Sequence, residues 1–349
     1  MSPNHPESAL RAYPGGEKAT TVVPPEAATG FSGAQIFQVC LENQLYCLRR
    51  WPASGLAPMR IRGLHRLLRT VADFGGPPIP VPLCNRDGST LTKVDQHWWQ
   101  LEPWMPGQAN FHQNPTPQRL TAAMQALARW HRAATHFQPQ PNEIKWFASH
   151  SGARSPAVVE RLARLTSYTS QFQAELQRSL RDGRGMDTPE QNAFCDLGLR
   201  VLTAAQSMIP RMHQELHALR NTRFRLQPCL RDVWHDHVLF LDESVSGLID
   251  ASACRYDHVA TDIARLVASL VSEDPSGWDT ALQAYQSERT LDLDGRVLVS
   301  TLDRSGTLLS CLSWIRRFAE SGLPVQQFPA VSRRIRVMVE RLELWVGRR

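Results

Sequence analysis

The chain has 349 residues, of which 42% are hydrophobic and 21% are charged, so it can bury one or two cores and is neither disordered nor fibrous over most of its length. No run approaches the ~18 apolar residues of a membrane span, and the N-terminus lacks a secretory signal, so we expect a cytoplasmic protein. The net charge of +6 permits an anionic partner, but the arginines are dispersed along predicted helices, which favours solvated helix faces and no nucleic-acid partner.

The cysteines indicate a reducing compartment. The chain has seven of them, an odd number, and they form no C-x-x-C pair. Disulfide frameworks and structural zinc sites use cysteines in recognisable pairs, so we expect free thiols.

The N-terminal region combines a polar segment with a glycine-bearing loop. Residues 1–24 are rich in Pro, Gly and polar side chains, which predicts a flexible lead-in. Gly30, Ser32 and Gly33 then precede two predicted strands, 35–39 and 45–51, with a turn between them. Glycines let backbone N–H groups approach phosphates and a serine adds a hydroxyl donor, so this is a candidate anion-binding loop.

A helix and a small sheet follow, and then mostly helix. From residue 59 to 74 the apolar side chains recur at helical spacing, and 79–83, 91–94 and 97–101 are short predicted strands of an antiparallel sheet. Helical patterns cover 120–135, 153–180, 192–220 and the chain from 278 onward.

A second hairpin at 228–250 carries the chemistry. Asp232 and Asp250 each border a short apolar run, and 242–244 between the runs has the polar composition of a turn. Such a hairpin holds both carboxylates at one end of a sheet. Phosphoryl transfer from a nucleotide requires one carboxylate to orient the attacking hydroxyl and another to hold the metal that bridges the phosphates.

This stretch resembles the aminoglycoside phosphotransferase and choline kinase-like branch of the protein-kinase-like fold. That family reads H-G-D-x-x-x-x-N-V-L-F followed by a strand ending Ile-Asp, where this chain reads Leu-Arg-Asp-Val-Trp-His-Asp-His-Val-Leu-Phe from Leu230, and later Leu-Ile-Asp ending at Asp250. The resemblance implies an α+β, protein-kinase-like two-lobed fold, with a small antiparallel-sheet lobe at 25–101, a hinge at 102–107 and a larger, mostly helical lobe at 108–349.

The resemblance also implies roles for individual residues. Asp232 would orient the acceptor and Asp250, with His237, would hold Mg²⁺. On the strand after the glycine loop the family carries a basic residue that contacts the phosphates, and strand alternation selects Arg49. The main chain of Glu102 and Trp104 would hydrogen-bond the adenine of ATP. In kinases the helix after this strand supplies a Glu; here it has none, and His65 is a candidate substitute or simply a packed or solvent-facing histidine.

Three departures keep an alternative open. Leu230 stands where the family has His, Arg231 where it has Gly, and His237 where it has the metal-binding Asn. His237 would favour Mn²⁺ over Mg²⁺ if it binds metal, or it would hydrogen-bond the loop backbone instead. The main expectation is an ATP-dependent phosphotransferase acting on a hydroxyl of a small molecule, and the alternative is a pseudokinase or nucleotide-binding module without catalysis.

Overall fold

The computed structural model describes residues 6–22, 33–183 and 188–347. The strands are β1 Thr20–Val22, β2 Gln35–Leu41, β3 Gln44–Arg50, β4 Thr92–Val94, β5 His97–Pro103, β6 His150–Ala153, β7 Phe224–Cys229, β8 Val238–Leu241, β9 Ser244–Leu248 and β10 Arg255–Asp257. The α-helices are α1 Pro6–Leu10, α2 Pro58–Asp73, α3 Pro117–Ala134, α4 Ile144–Phe147, α5 Pro156–Ser167, α6 Ser170–Asp182, α7 Pro189–Leu219, α8 Ala260–Val271, α9 Pro275–Glu288, α10 Leu293–Ser321 and α11 Phe328–Gly347.

An antiparallel five-stranded sheet dominates the first part of the chain, in the order β1-β2-β3-β5-β4. The β2–β3 hairpin closes through Glu42 and Asn43, whose φ angles of 47° and 65° lie in the left-handed region. Two such residues form the type I′ turn that suits the twist of a two-residue hairpin. This turn fixes the β2–β3 register, which pairs Ile36 with Arg49.

The N-terminal segment differs from the sequence-based expectation of a flexible lead-in. Its described part forms α1, a short 3-10 helix and β1, and β1 pairs with β2. Leu10 and Tyr13 are buried in the same cluster as Leu48 and Trp99 of the sheet. The Pro- and Gly-rich average composition hides these few apolar residues, which pack with residues of the sheet.

Helix α2 packs through the apolar face that its spacing predicts. Its five predicted apolar positions are all buried: Ile61, Leu64, Leu67, Leu68 and Val71. Arg66 of α2 makes two hydrogen bonds of 3.1 and 3.0 Å to the buried carboxylate of Glu143. This ion pair ties the helix to the chain beyond α3.

The chain divides into two compact units. One contains residues 1–149, 227–256 and 275–290, and the other contains 150–226, 257–274 and 291–349. The predicted lobes at 25–101 and 108–349, with a hinge at 102–107, stay a prediction. The second unit includes α5, α6 and α7, and the helix predicted at 153–180 is in fact two helices, capped by the side chains of Ser155 and Thr169.

In the part of the chain that the structure describes, none of the helices has the length and apolarity needed to cross a bilayer.

Candidate active site

Arg49 is the buried centre of the predicted site. It lies on β3, and its side chain is 9% exposed. Its Nη2 lies 3.6 Å from Oε1 of Glu102 on β5, and its Nη1 lies 3.6 Å from Oδ1 of Asp250. The guanidinium carbon also lies 5.6 Å from the ring centroid of Trp51. The structure thus joins the predicted phosphate-binding cation to the predicted metal-binding acid.

The charges in this cluster are mutually dependent. Burial alone would lower the pKa of Arg49, but Glu102 and Asp250 raise it, so the guanidinium stays charged. Burial would raise the pKa of Asp250, yet Arg49, Ser252 and His237 hold it below its ordinary value. At 3.6 Å, a pair of unit charges attracts by about 5 kcal/mol in an effective dielectric of about 20, before desolvation is counted. A cation that binds Asp250 has to compete with Arg49.

The two aspartates flank the hairpin of β8 and β9 in the chain. A 3-10 turn from His235 to His237 leads into β8, with Asp232 before it, and Asp250 follows β9. Arg231 and Asp250 have φ angles of 63° and 58°. A left-handed backbone costs a non-glycine residue about 1 kcal/mol, and such strain clusters at functional sites. Arg231 therefore adopts the backbone region that the glycine of the family motif adopts easily.

His237 braces the loop that carries Asp232. Its Nδ1–H donates to the carbonyl oxygen of Asp232 at 2.7 Å, so its Nε2 carries the lone pair. That Nε2 lies 4.0 Å from Oδ2 of Asp250, a separation that one ion can bridge, but it accepts a hydrogen bond of 2.9 Å from the indole of Trp234. The backbone hydrogen bond considered from the sequence is thus present, and His237 can ligate a metal only if Trp234 releases it. Of the two predicted metal ligands, Asp250 is the one with the carboxylate that suits Mg²⁺.

The described part of the glycine loop is its last residue. Gly30 and Ser32 lie outside the described residues. Gly33 is exposed, lies two residues before β2 and has a φ of 71°, a conformation that glycine adopts without strain. The phosphate-binding role of all three stays a prediction.

Glu102 and Trp104, which are predicted to bind adenine through their main chain, lie near the end of β5 and directly after it. The N–H of Trp104 donates to the carbonyl oxygen of Leu45 at 3.1 Å, so it faces β3 and not an open edge. Glu102 lies two residues before Trp104, so its main chain faces the same edge of β5, and it pairs with Cys47 of β3. Main-chain groups of adjacent strand residues point to opposite edges, so the main chain of Pro103, the last residue of β5, turns away from β3. The hinge at 102–107 and the adenine-binding role of Glu102 and Trp104 stay predictions.

A buried network of polar side chains next to Arg49 was not predicted from the sequence. Gln100 Nε2 donates to Glu102 Oε2 at 2.6 Å, and Gln100 Oε1 accepts from Trp51 Nε1 at 2.8 Å and from His65 Nε2 at 2.9 Å. His65 is 3% exposed, so it is packed and not solvent-facing. Gln100 and Glu102 lie two residues apart on a predicted strand and therefore share a face, and this spacing could have located the buried polar side chains from the sequence.

The protein-family model described as the phosphotransferase enzyme family matches residues 27–296 of the 349. The chain belongs to this family. A search of curated proteins returned no match.

Solved structures of several phosphotransferases have the same fold as this chain. Spectinomycin phosphotransferase in complex with ADP and spectinomycin has a TM-score of 0.65 at 13% identity, covering 93% of this chain and 92% of its own. The microcompartment-associated aminopropanol kinase has a TM-score of 0.63 at 14% identity, covering 98% and 96%. Amicoumacin kinase in complex with AMP-PNP and Ca²⁺ has a TM-score of 0.61 at 16% identity, covering 96% and 91%. At these identities the similarity establishes the fold only.

These comparisons confirm the predicted family, the α+β kinase-like fold and the assignment as a phosphotransferase enzyme.

Proposed function

We propose that this phosphotransferase transfers the γ-phosphoryl group of ATP to a hydroxyl of a small molecule. The observation that carries the proposal is the buried contact of Arg49 with Asp250, at 3.6 Å. A strand cation and a hairpin acid brought together in this way are the two groups that bind nucleotide phosphates and their metal in kinases. The nucleotides named for two of the similar structures, AMP-PNP and ADP, support the choice of an adenine nucleotide.

Each group has a role that its position supports. The fork of Arg49 suits phosphate oxygens. In the predicted hinge, the carbonyl oxygen of Pro103 faces away from β3 and can accept a hydrogen bond from a base, whereas proline has no N–H to donate. Asp250 would hold Mg²⁺, with His237 as a second ligand for Mn²⁺ once Trp234 releases it. A bound Mg²⁺ neutralises charge on the phosphates during transfer.

Asp232 acts on the acceptor. Its carboxylate accepts a hydrogen bond from the acceptor hydroxyl and orients the oxygen toward the γ-phosphorus. The new oxygen–phosphorus bond forms as the bond to the β-γ bridging oxygen breaks, ADP leaves with that electron pair, and the hydroxyl proton passes to Asp232 and then to solvent. The hydrogen bond from His237 to the carbonyl of Asp232 fixes this loop residue.

The experiment pairs ATP binding with phosphoryl transfer. Calorimetry with ATP and Mg²⁺ gives the Kd, and ADP release is followed with spectinomycin, aminopropanol and related amino alcohols as first acceptors and with water as the default acceptor. Asp232→Asn is expected to lower kcat at least about 10²-fold with a Kd for ATP within about twofold of the parent.

Asp236→Asn is the matched control, because Asp236 lies in the same loop with a side chain that is 48% exposed. It should leave kcat unchanged. Transfer by Asp232→Asn at the parental rate would refute the role of Asp232. ATP binding without transfer to any acceptor, water included, would favour the alternative of a nucleotide-binding module.

A further inference from the structure

A buried cation in this position requires an acidic partner. Protein kinases pair the lysine of strand β3 with a glutamate from the following helix, and the pair must form for activity. Helix α2 reads PMRIRGLHRLLRTVAD and contains no Glu; its one acid, Asp73, is its last residue. Because an unpaired charge is costly to bury, Arg49 needs its partner from another element.

The partner comes from the neighbouring strand. In the β3–β5 register Arg49 lies opposite Gln100, and Cys47 lies opposite Glu102. Side chains two residues apart on a strand share a face, so Glu102 is the diagonal neighbour of Arg49 on the buried side of the sheet. Glu102 is 5% exposed, and its Oε1 makes the contact with Arg49.

Helix α2 still reaches Arg49, but indirectly. Thr90 Oγ1 lies 2.8 Å from His65 Nδ1, His65 Nε2 bonds Gln100 Oε1, and Gln100 Nε2 bonds Glu102 Oε2. The indole of Trp51 can only donate, so Gln100 turns its oxygen toward Trp51 and His65 and its amide nitrogen toward Glu102. Burial raises the pKa of Glu102, and Arg49 and Gln100 oppose this shift. Burial lowers the pKa of His65 to about 4, so the ring is neutral at physiological pH and carries its proton on Nε2.

We infer that Glu102 is a positioning residue that holds Arg49 ready for the nucleotide phosphates, in the place of the helix glutamate that α2 lacks. This inference rests on the proposed function. In this inference, Asp250 and Glu102 have different roles at Arg49. Asp250 leaves Arg49 when it binds the metal, and Glu102 keeps the guanidinium oriented.

Removing the charge of Glu102 therefore changes the competition for Asp250. In Glu102→Gln the amide keeps its size and can still accept from Gln100, but Arg49 is left with Asp250 as its acidic neighbour. Arg49 then holds Asp250 more tightly, and both the nucleotide and the metal lose affinity. A purely structural role of Glu102 would lower the melting temperature without this specific loss.

The test compares Glu102→Gln with an exchange variant, Gln100→Glu/Glu102→Gln. The exchange keeps both side-chain types and returns an acid to the same face of β5, directly opposite Arg49. His65 and Trp51 can donate to the new carboxylate as they do to Gln100. Each protein is titrated with ATP at fixed Mg²⁺ and with Mg²⁺ at fixed ATP, and its melting temperature is recorded.

We expect Glu102→Gln to raise the Kd for ATP and the half-saturating Mg²⁺ concentration about tenfold, a change of about 1.4 kcal/mol, and the exchange variant to recover most of this loss. Parental values in Glu102→Gln would overturn the inference. So would a folded exchange variant that binds as weakly as Glu102→Gln. If Glu102→Gln does not fold, near-parental binding by the exchange variant supports the inference and its failure to bind overturns it. Absence of ATP binding by the parent protein would instead contradict the proposed function.

Discussion

Lowering the pH from 7.5 to 5 should stabilise the folded chain through Asp303. This residue lies on α10, and its Oδ2 is 2.7 Å from Nη2 of Arg341 on α11. Arg341 also contacts Glu273 at 2.9 Å. Burial raises the pKa of Asp303 to about 6, because the loss of hydration outweighs the attraction of Arg341.

The direction and size follow from proton linkage. The folded pKa lies above the unfolded value of about 3.9, so the folded state binds the proton more tightly. The resulting stability is fully present below the unfolded pKa and is lost as the pH rises through about 6. From pH 7.5 to pH 5 this one group adds about 1.4 kcal/mol to the free energy of unfolding. For a chain of this length, that raises the melting temperature by about 2 °C.

The assay is thermal unfolding of the parent, of Asp303→Asn and of Asp279→Asn at both pH values. Asp303→Asn mimics the protonated acid, so its melting temperature should rise less on acidification than that of the parent, by the amount calculated. Asp279 is an exposed aspartate on α9, and its variant should follow the parent. Parallel pH dependence in the parent and in Asp303→Asn would show that Arg341 keeps Asp303 ionised throughout, and the reasoning would fail.

Two further predictions concern the metal site and the N-terminal segment. Trp234→Phe removes the indole N–H that bonds Nε2 of His237 at 2.9 Å, so we expect the half-activating concentration of Mn²⁺ to fall up to about tenfold relative to that of Mg²⁺; an unchanged ratio would mean that His237 is only a brace. Tyr13→Ala removes a side chain that is 1% exposed and should cost about 3 kcal/mol of unfolding free energy, or about 4 °C of melting temperature, measured by calorimetry. A neutral effect would restore the view of residues 6–22 as a loosely attached lead-in.

The sequence predicted the elements whose determinants are local. The helical spacing of Ile61, Leu64 and Leu67 fixed the buried face of α2 because a helix brings such positions onto one side. Side-chain alternation along β3 selected Arg49, because a strand places every second side chain on the same face. The Asp232 and Asp250 motif, together with its strand context, indicated a phosphotransferase, and the match to the family model confirmed that assignment.

Two features were not predicted because their local sequence signal is weak. The lead-in looked flexible because Pro and Gly dominate its average, although a few apolar side chains such as Tyr13 decide its packing. The sequence also did not show which main-chain groups near residue 102 face away from β3. Glu102 and Pro103 belong to the same strand, and only the pairing of that strand with β3 distinguishes them.

The sequence by itself determined the class of protein, the hairpin with its two aspartates and the cation on β3. Only the tertiary structure decided which acid accompanies that cation. Glu102 lies 53 residues from Arg49 in the chain, and the sequence predicted a role for its main chain only; strand pairing places its carboxylate next to the guanidinium. A buried charge is stabilised by whichever opposite charge the folded chain brings within a few ångströms, and that proximity is a property of register and packing that no local pattern encodes.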